Sequence, residues 1–184
     1  GTFSVASVLS PKKMLTFLHK EYSLEDWKAN SDKFDPRYVG ISVGTSKSDF
    51  DKLTQILNWN PEINFICFDV ANGYTEIAAD CVTTIKHQFP SQILVAGNVV
   101  TRPGMDNLYN ANVVKIGLGS GSVCTTRIKT GIGVPQLTAI LDCAGYICDI
   151  MSDGGCKVPG DIVKAFVAGS QYVMLGGMLA GHEE

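Results

Sequence analysis

Residues 113–133 read VVKIGLGSGSVCTTRIKTGIG: a short apolar run, a loop of glycine and serine, an isolated cysteine at 124, then a stretch able to form helix. Strand, pliable loop and helix in that succession make the unit of parallel βα architecture. The succession recurs along the chain. Strands are expected at Leu15–His19, Tyr38–Val43, Asn64–Asp69, Ile93–Ala96, Val113–Ile116, Asp149–Ser152 and Tyr172–Leu175, each followed by polar or glycine-rich residues. Between them Phe50, Leu53, Ile56 and Leu57 recur at helical spacing behind a cap expected at Ser48, and Pro159 opens a helix carrying Ile162, Val163, Phe166 and Val167.

Near-continuous apolar strands belong to a sheet covered on both faces, which a closed (β/α) barrel and an open doubly wound sheet satisfy equally. The residues with chemistry separate the two. Asp69, Asn98, Gly117, Asp153 and Gly176 each fall just after the C-terminal end of an expected strand. In a barrel those ends share one rim, whereas an open sheet concentrates its ligand at one switch point. The expected fold is therefore α/β, a (β/α)8 TIM barrel. It is incomplete, because the visible strands are one fewer than that fold closes with. Residues 1–184 form one catalytic barrel domain in this reading.

A composition of 45% hydrophobic and 18% charged residues fits an ordinary globular domain. The net charge of -3 supplies no basic field to gather nucleic acid or an anionic membrane, so an anionic ligand must be held locally. No run approaches a membrane span, and the first residues lack a basic segment followed by an apolar one, so a soluble, unexported protein is expected. Cys67, Cys81, Cys124, Cys143, Cys148 and Cys156 are scattered through apolar segments, which suits reduced thiols better than a disulfide framework. Neither these spacings nor His19, His87 and His182 form a zinc ladder.

Four segments carry chemistry. In GLGSGSVCTTRIKTGIG, Cys124 sits among hydroxyls and near Arg127, a setting that favours the thiolate, which is the attacking species, and Thr126 is placed to relay a proton. A lone cysteine is otherwise an inert small hydrophobe; the glycine-rich, polar surroundings argue against that here. SDGGC at 152–156 puts Asp153 beside two glycines, where it can accept from two sugar hydroxyls while the amides approach a phosphate, although Asp-Gly is more commonly just a turn. LGGMLAG at 175–181 repeats the arrangement after the next strand, where barrels often build a phosphate site, or else it reflects close packing. DVANGY at 69–74 offers a strand-end carboxylate able to cap a turn, orient a carboxamide or meet a lysine, for which Lys20 is the candidate.

GSVCTTRIKTGIGVPQ, DVANGY, AGNVVT from Ala96, SDGGC and LGGMLAGHEE, in this order, resemble the IMP dehydrogenase/GMP reductase family, and the reductase branch more closely. The dehydrogenases typically carry isoleucine where Thr125 stands and lack the DVANGY form. The resemblance implies an NADPH-dependent oxidoreductase of purine metabolism, converting GMP to IMP and ammonia. It implies that Cys124 attacks carbon 2 of the base to leave a thioimidate, with Thr126 and Lys20 in proton transfer. It gives Ser122, Asp153, Gly154, Gly155, Gly176 and Gly177 to ribose and phosphate, and Lys20, Asp69, Val70, Ala71, Leu118 and Gly119 to NADPH. Carbonyls of Gly119, Gly121 and Cys124, with Arg127 adjacent, resemble the family's potassium loop. A cytoplasmic homotetramer is implied, binding no nucleic acid and no membrane. An N-terminal strand and a C-terminal flap of the family have no counterpart in these 184 residues, and Ser120 stands where proline is usual. The alternatives are an IMP dehydrogenase-like activity with NAD, a catalytically silent purine-nucleotide-binding module, and a βα scaffold for another phosphorylated metabolite.

Overall fold

The structure, a computed structural model, describes residues 1–122 and 124–181; Val123, and His182, Glu183 and Glu184 of the last glycine motif, lie outside the described residues. The elements are α1 (Phe3–Leu9), β1 (Thr16–Leu18), α2 (Leu24–Ala29), β2 (Val39–Val43), α3 (Lys47–Trp59), β3 (Phe65–Asp69), α4 (Glu76–Gln88), β4 (Ile93–Val99), α5 (Arg102–Asn107), β5 (Val113–Ile116), α6 (Thr126–Thr130), α7 (Gln136–Cys143), β6 (Asp149–Asp153), α8 (Pro159–Val167) and β7 (Tyr172–Met174), with short 3₁₀ turns before β1 and β2. Every expected strand is present, within a few residues of its expected ends.

The seven strands are parallel and lie in the order β1-β2-β3-β4-β5-β6-β7. A doubly wound sheet reverses its order at a switch point; this order never reverses, which is the barrel topology. The two edge strands face one groove of about 580 Å³, lined by Thr16 and Phe17 on one side and Tyr172, Val173 and Met174 on the other. The sheet is thus a curled, incomplete barrel.

Side chains alternate across the strands with a period of two, and the alternation divides the interior into two cores. Outward positions Ile41, Ile66, Phe68, Leu94, Ala96, Val114, Ile116 and Ile150 pack with Leu53, Ile56, Leu57, Ala78, Val82, Ile85, Ala139 and Ile140 of the helices. Phe68 and its fully buried aliphatic neighbours contribute roughly 1.5–3 kcal/mol each by leaving water. Inward positions Val95, Val113 and Met151 make a smaller cluster with Phe17 and Met174.

Local chemistry fixes the helix ends. α3 is capped by Ser46, whose Oγ accepts from the Asp49 amide at 3.2 Å, and Ser48 already lies inside the helix, its hydroxyl 2.9 Å from that of Ser46. The cap falls two residues before the expected Ser48 because Ser46 is the residue that keeps an extended backbone. Pro159 opens α8 as expected, with the Asp161 carboxylate accepting from the amides of Lys157 and Val158 at 3.0 and 3.3 Å. α8 buries Ala165, while Val163, Phe166 and Val167 stay exposed. Among the described residues no helix is long and apolar enough to cross a membrane.

Candidate active site

The loops after β3, β4 and β5 meet at the C-terminal rim around a cavity of about 360 Å³ lined by Asp69, Val70, Ala71, Asn98, Gly117, Leu118, Gly119, Cys124, Thr125 and Thr126. Five residues expected on the cofactor side, Asp69, Val70, Ala71, Leu118 and Gly119, thus share one hollow with the expected nucleophile and proton relay. The walls are tied by backbone bonds: Val70 donates to Gly97 O at 2.9 Å, Asn98 to Val70 O at 3.0 Å, and Gly117 to Val99 O at 3.0 Å.

Cys124 is partly exposed at the mouth of this hollow, just before α6, and its amide donates to the Gly121 carbonyl at 3.1 Å. The Thr126 hydroxyl, then the amides of Thr126 and Gly119, favour the charged sulfur and hold its pKa below that of an ordinary thiol. The other five cysteines shift the opposite way, chiefly through burial: Cys67 is pushed up to about 12 and Cys143 to about 11, and Cys81, Cys148 and Cys156 are raised. All six thiols are free. Reactivity is thereby concentrated on residue 124.

The residues expected on the nucleotide side come from three loops, of which the described geometry brings most together. Gly154 has a φ of +107°, which an L side chain resists, and a Cβ there would lie 2.6 Å from Ser120 Oγ and 3.0 Å from the Gly121 amide. The SDGG turn is therefore pressed against the cysteine loop. Gly155 lies against Gln136, and Gly177 stands beside Ser122, 3.1 Å from Ser122 Oγ to the position of a Cβ. Gly176 is exposed with open space around it.

Between these halves runs a polar network that the motifs did not reveal. Lys115, on the inward face of β5, is 2% exposed, and its Nζ pairs with Asp69 Oδ1 and, at 3.1 Å, with Asp153 Oδ2. Burial works against its charge, but the facing Cys67, Asp153 and Asp69 outweigh this and the ammonium's pKa is raised. Asn98 Nδ2 donates to both Asp153 Oδ2 and Gly117 O at 2.9 Å, which fixes the orientation of the amide and leaves its buried Oδ1 without a partner among the described residues. Gln136 braces the other side, donating to Ile116 O at 2.6 Å and Ser152 Oγ at 3.1 Å while accepting from Ser120 at 2.6 Å. A lysine in the middle of an apolar strand, in phase with two strand-end aspartates, was the signal for this network: it must face inward, and a buried ammonium needs partners.

Lys20 follows β1 at the same rim, next to Gly44 and Asp49, and does not line the cavity. The lysine that meets Asp69 is Lys115. Arg127 packs its guanidinium against Gly133, and its carbonyl accepts from the Gly131 amide at 2.9 Å. A guanidinium has no acceptor, so Arg127 could join a cation site only through that carbonyl. Among the described residues no cluster of three or more His, Cys, Asp and Glu could hold a metal ion.

The family model described as "IMP dehydrogenase / GMP reductase domain" matches residues 6–184. Proteins named GMP reductase from Shigella boydii serotype 18 and from Escherichia coli O1:K1 are each 51% identical over 193 aligned positions, covering all of this chain and 56% of their own length. A crystal structure of inosine 5' monophosphate dehydrogenase from Legionella pneumophila superposes with a TM-score of 0.90 at 36% identity, over 98% of this chain and 56% of the other. The chain thus spans little more than half the length of these relatives. With seven consecutive parallel strands, a cysteine loop at their rim and a match over nearly every residue, the chain belongs to the IMP dehydrogenase / GMP reductase family.

Proposed function

We propose that the chain is the catalytic portion of a GMP reductase, reducing GMP to IMP and ammonia with NADPH. The observation that carries this reading is the cavity where Cys124 and Thr126 stand opposite Asp69, Val70 and Ala71. The relatives named GMP reductase support the choice of reaction.

Cys124 adds as thiolate to carbon 2 of the base, and the exocyclic amine leaves as ammonia after taking up a proton, so that a thioimidate remains on the sulfur. Covalent catalysis divides one difficult substitution into two easier steps. Thr126, which lines the cavity beside Cys124 and favours its charged form, is the group placed to pass that proton, with Lys20, outside the cavity at the same rim, as a second participant. NADPH, when bound, supplies the hydride that carbon 2 accepts, after which the carbon–sulfur bond breaks and Cys124 is regenerated as thiolate. Asp153 accepts from the ribose hydroxyls, and Ser122, Gly154, Gly155, Gly176 and Gly177 surround the phosphate. Asp69, Val70, Ala71, Leu118 and Gly119 would hold the cofactor, with Lys20 outside that cavity at the same rim. Asn98 lines the same cavity beside Asp69 and Val70, and a side-chain amide there would suit the carboxamide of a nicotinamide. Carbonyls of Gly119, Gly121, Cys124 and Arg127 are the residues that would hold potassium and fix the loop backbone. The working enzyme is taken to be a cytoplasmic homotetramer.

Incubating the full-length protein with GMP and NADPH should consume NADPH and release ammonia in equal amounts. Nucleotide binding without turnover would reject the reading in favour of a silent module. The likeness to a dehydrogenase structure keeps a second reading, oxidation of IMP with NAD, and turnover with that pair alone would select it.

A further inference from the structure

The motifs assign Asp69 to one ligand and Asp153 to the other, yet one buried cation serves both carboxylates. Lys115 extends from β5 across the neighbouring β4 to Asp69 on β3, and pairs with Asp153 on β6 at 3.1 Å. It can cross because the intervening inward position of β4 is Gly97, paired in register with Asp69. Both pairs use a single carboxylate oxygen, Asp69 Oδ1 and Asp153 Oδ2, and Asn98 donates to that same Asp153 Oδ2. Among the described residues Asp69 Oδ2 and Asp153 Oδ1 take no hydrogen bond and remain available to ligand donors.

We propose that Lys115 is a positioning residue shared by the two halves of the site, keeping Asp69 and Asp153 together as anions and aiming their spare oxygens at cofactor and nucleotide. This rests on the reductase reading for the identity of the two ligands. Without the ammonium, two carboxylates that now share one cation would face each other across β4 and β5. Like charges at that separation repel, so the side chains would turn apart and disturb both binding surfaces. An aspartate lost singly affects its own ligand, whereas the lysine lost affects both.

The test uses the full-length protein and separate equilibrium titrations with GMP and with NADPH. Asp153→Asn is expected to weaken GMP and spare NADPH, and Asp69→Asn the reverse. Lys115→Met is expected to weaken both by at least about tenfold each, with the thermal midpoint and the labelling rate of Cys124 by iodoacetamide close to parental. Lys115→Arg, which keeps the charge with altered reach, should recover part of both affinities. A Lys115→Met protein that loses one ligand or neither, while the aspartate variants lose theirs, overturns the shared role. Should that variant fail to fold, Lys115→Arg decides: a joint fall in both affinities supports the proposal, and a fall in one or none overturns it. If neither aspartate variant moves either affinity, the reductase reading of the cavity fails and this proposal with it.

Discussion

Gly97 faces Lys115 so closely that a Cβ on residue 97 would sit 2.5 Å from the lysine Cβ and 2.8 Å from its carbonyl oxygen. The second contact is with backbone, so β4 and β5 would have to separate to admit a methyl group. Gly97→Ala should therefore lower the unfolding free energy by about 1–3 kcal/mol, the usual range for overpacking. Denaturant titration of the full-length protein checks this, and unchanged stability would mean that the strands yield freely.

Cys124→Ala removes the only thiol whose charged form is favoured. Turnover should drop by at least about 10³-fold, while GMP affinity stays within about threefold, because the sulfur enters the reaction and not the docking. Stopped-assay ammonia release and calorimetric GMP binding give the two numbers. A large loss of affinity would recast Cys124 as a binding residue.

The acidity of that thiol has a defined sign. Thr126 and Gly119 favour the thiolate, so its titration lies below that of an ordinary thiol and the reactive form persists to lower pH than it would on a free cysteine. The iodoacetamide rate at Cys124 against pH should bend at a lower pH than that of a model thiol. Thr126→Ala should move the bend upward and slow turnover by roughly 10²-fold through loss of the relay. A bend that does not move would assign the acidity to the backbone amides.

Asp153 already holds Lys115 and Asn98 through one oxygen. Asp153→Asn should weaken GMP by roughly ten- to a hundredfold, the loss expected when a charged acceptor of hydroxyl donors becomes neutral. Inorganic phosphate competition should be nearly unaffected, since the phosphate is assigned to Ser122 and the paired glycines. Equal losses for both ligands would place Asp153 in general support of the rim.

Much of this was written in the order of residues. Strand positions followed from apolar runs such as NFICFD at 64–69 and DIMS at 149–152, and the cysteine loop announced itself by glycines around a lone sulfur. Closure was different. An apolar strand looks alike in a barrel and an open sheet, so the expectation of a barrel rested on the strand-end residues alone, and the unbroken spatial order from β1 to β7 bears it out. Lys115 was missed because VVKI reads as a strand with or without its charge; its meaning depends on Asp69 and Asp153, distant in sequence and brought within reach by curling. The cap of α3 was misplaced by two residues for a smaller reason, since Ser46 and Ser48 are equal as capping chemistry and differ only in backbone conformation.

The six sulfurs also set how the molecule would meet oxidative stress. Peroxide reacts with thiolates and hardly with thiols, and five of the six sulfurs are held protonated by their surroundings. The first casualty would be residue 124, as a sulfenic acid that a reductant can reverse, so the reaction proposed for this sulfur would stop before the scaffold was harmed and would resume once reducing conditions returned.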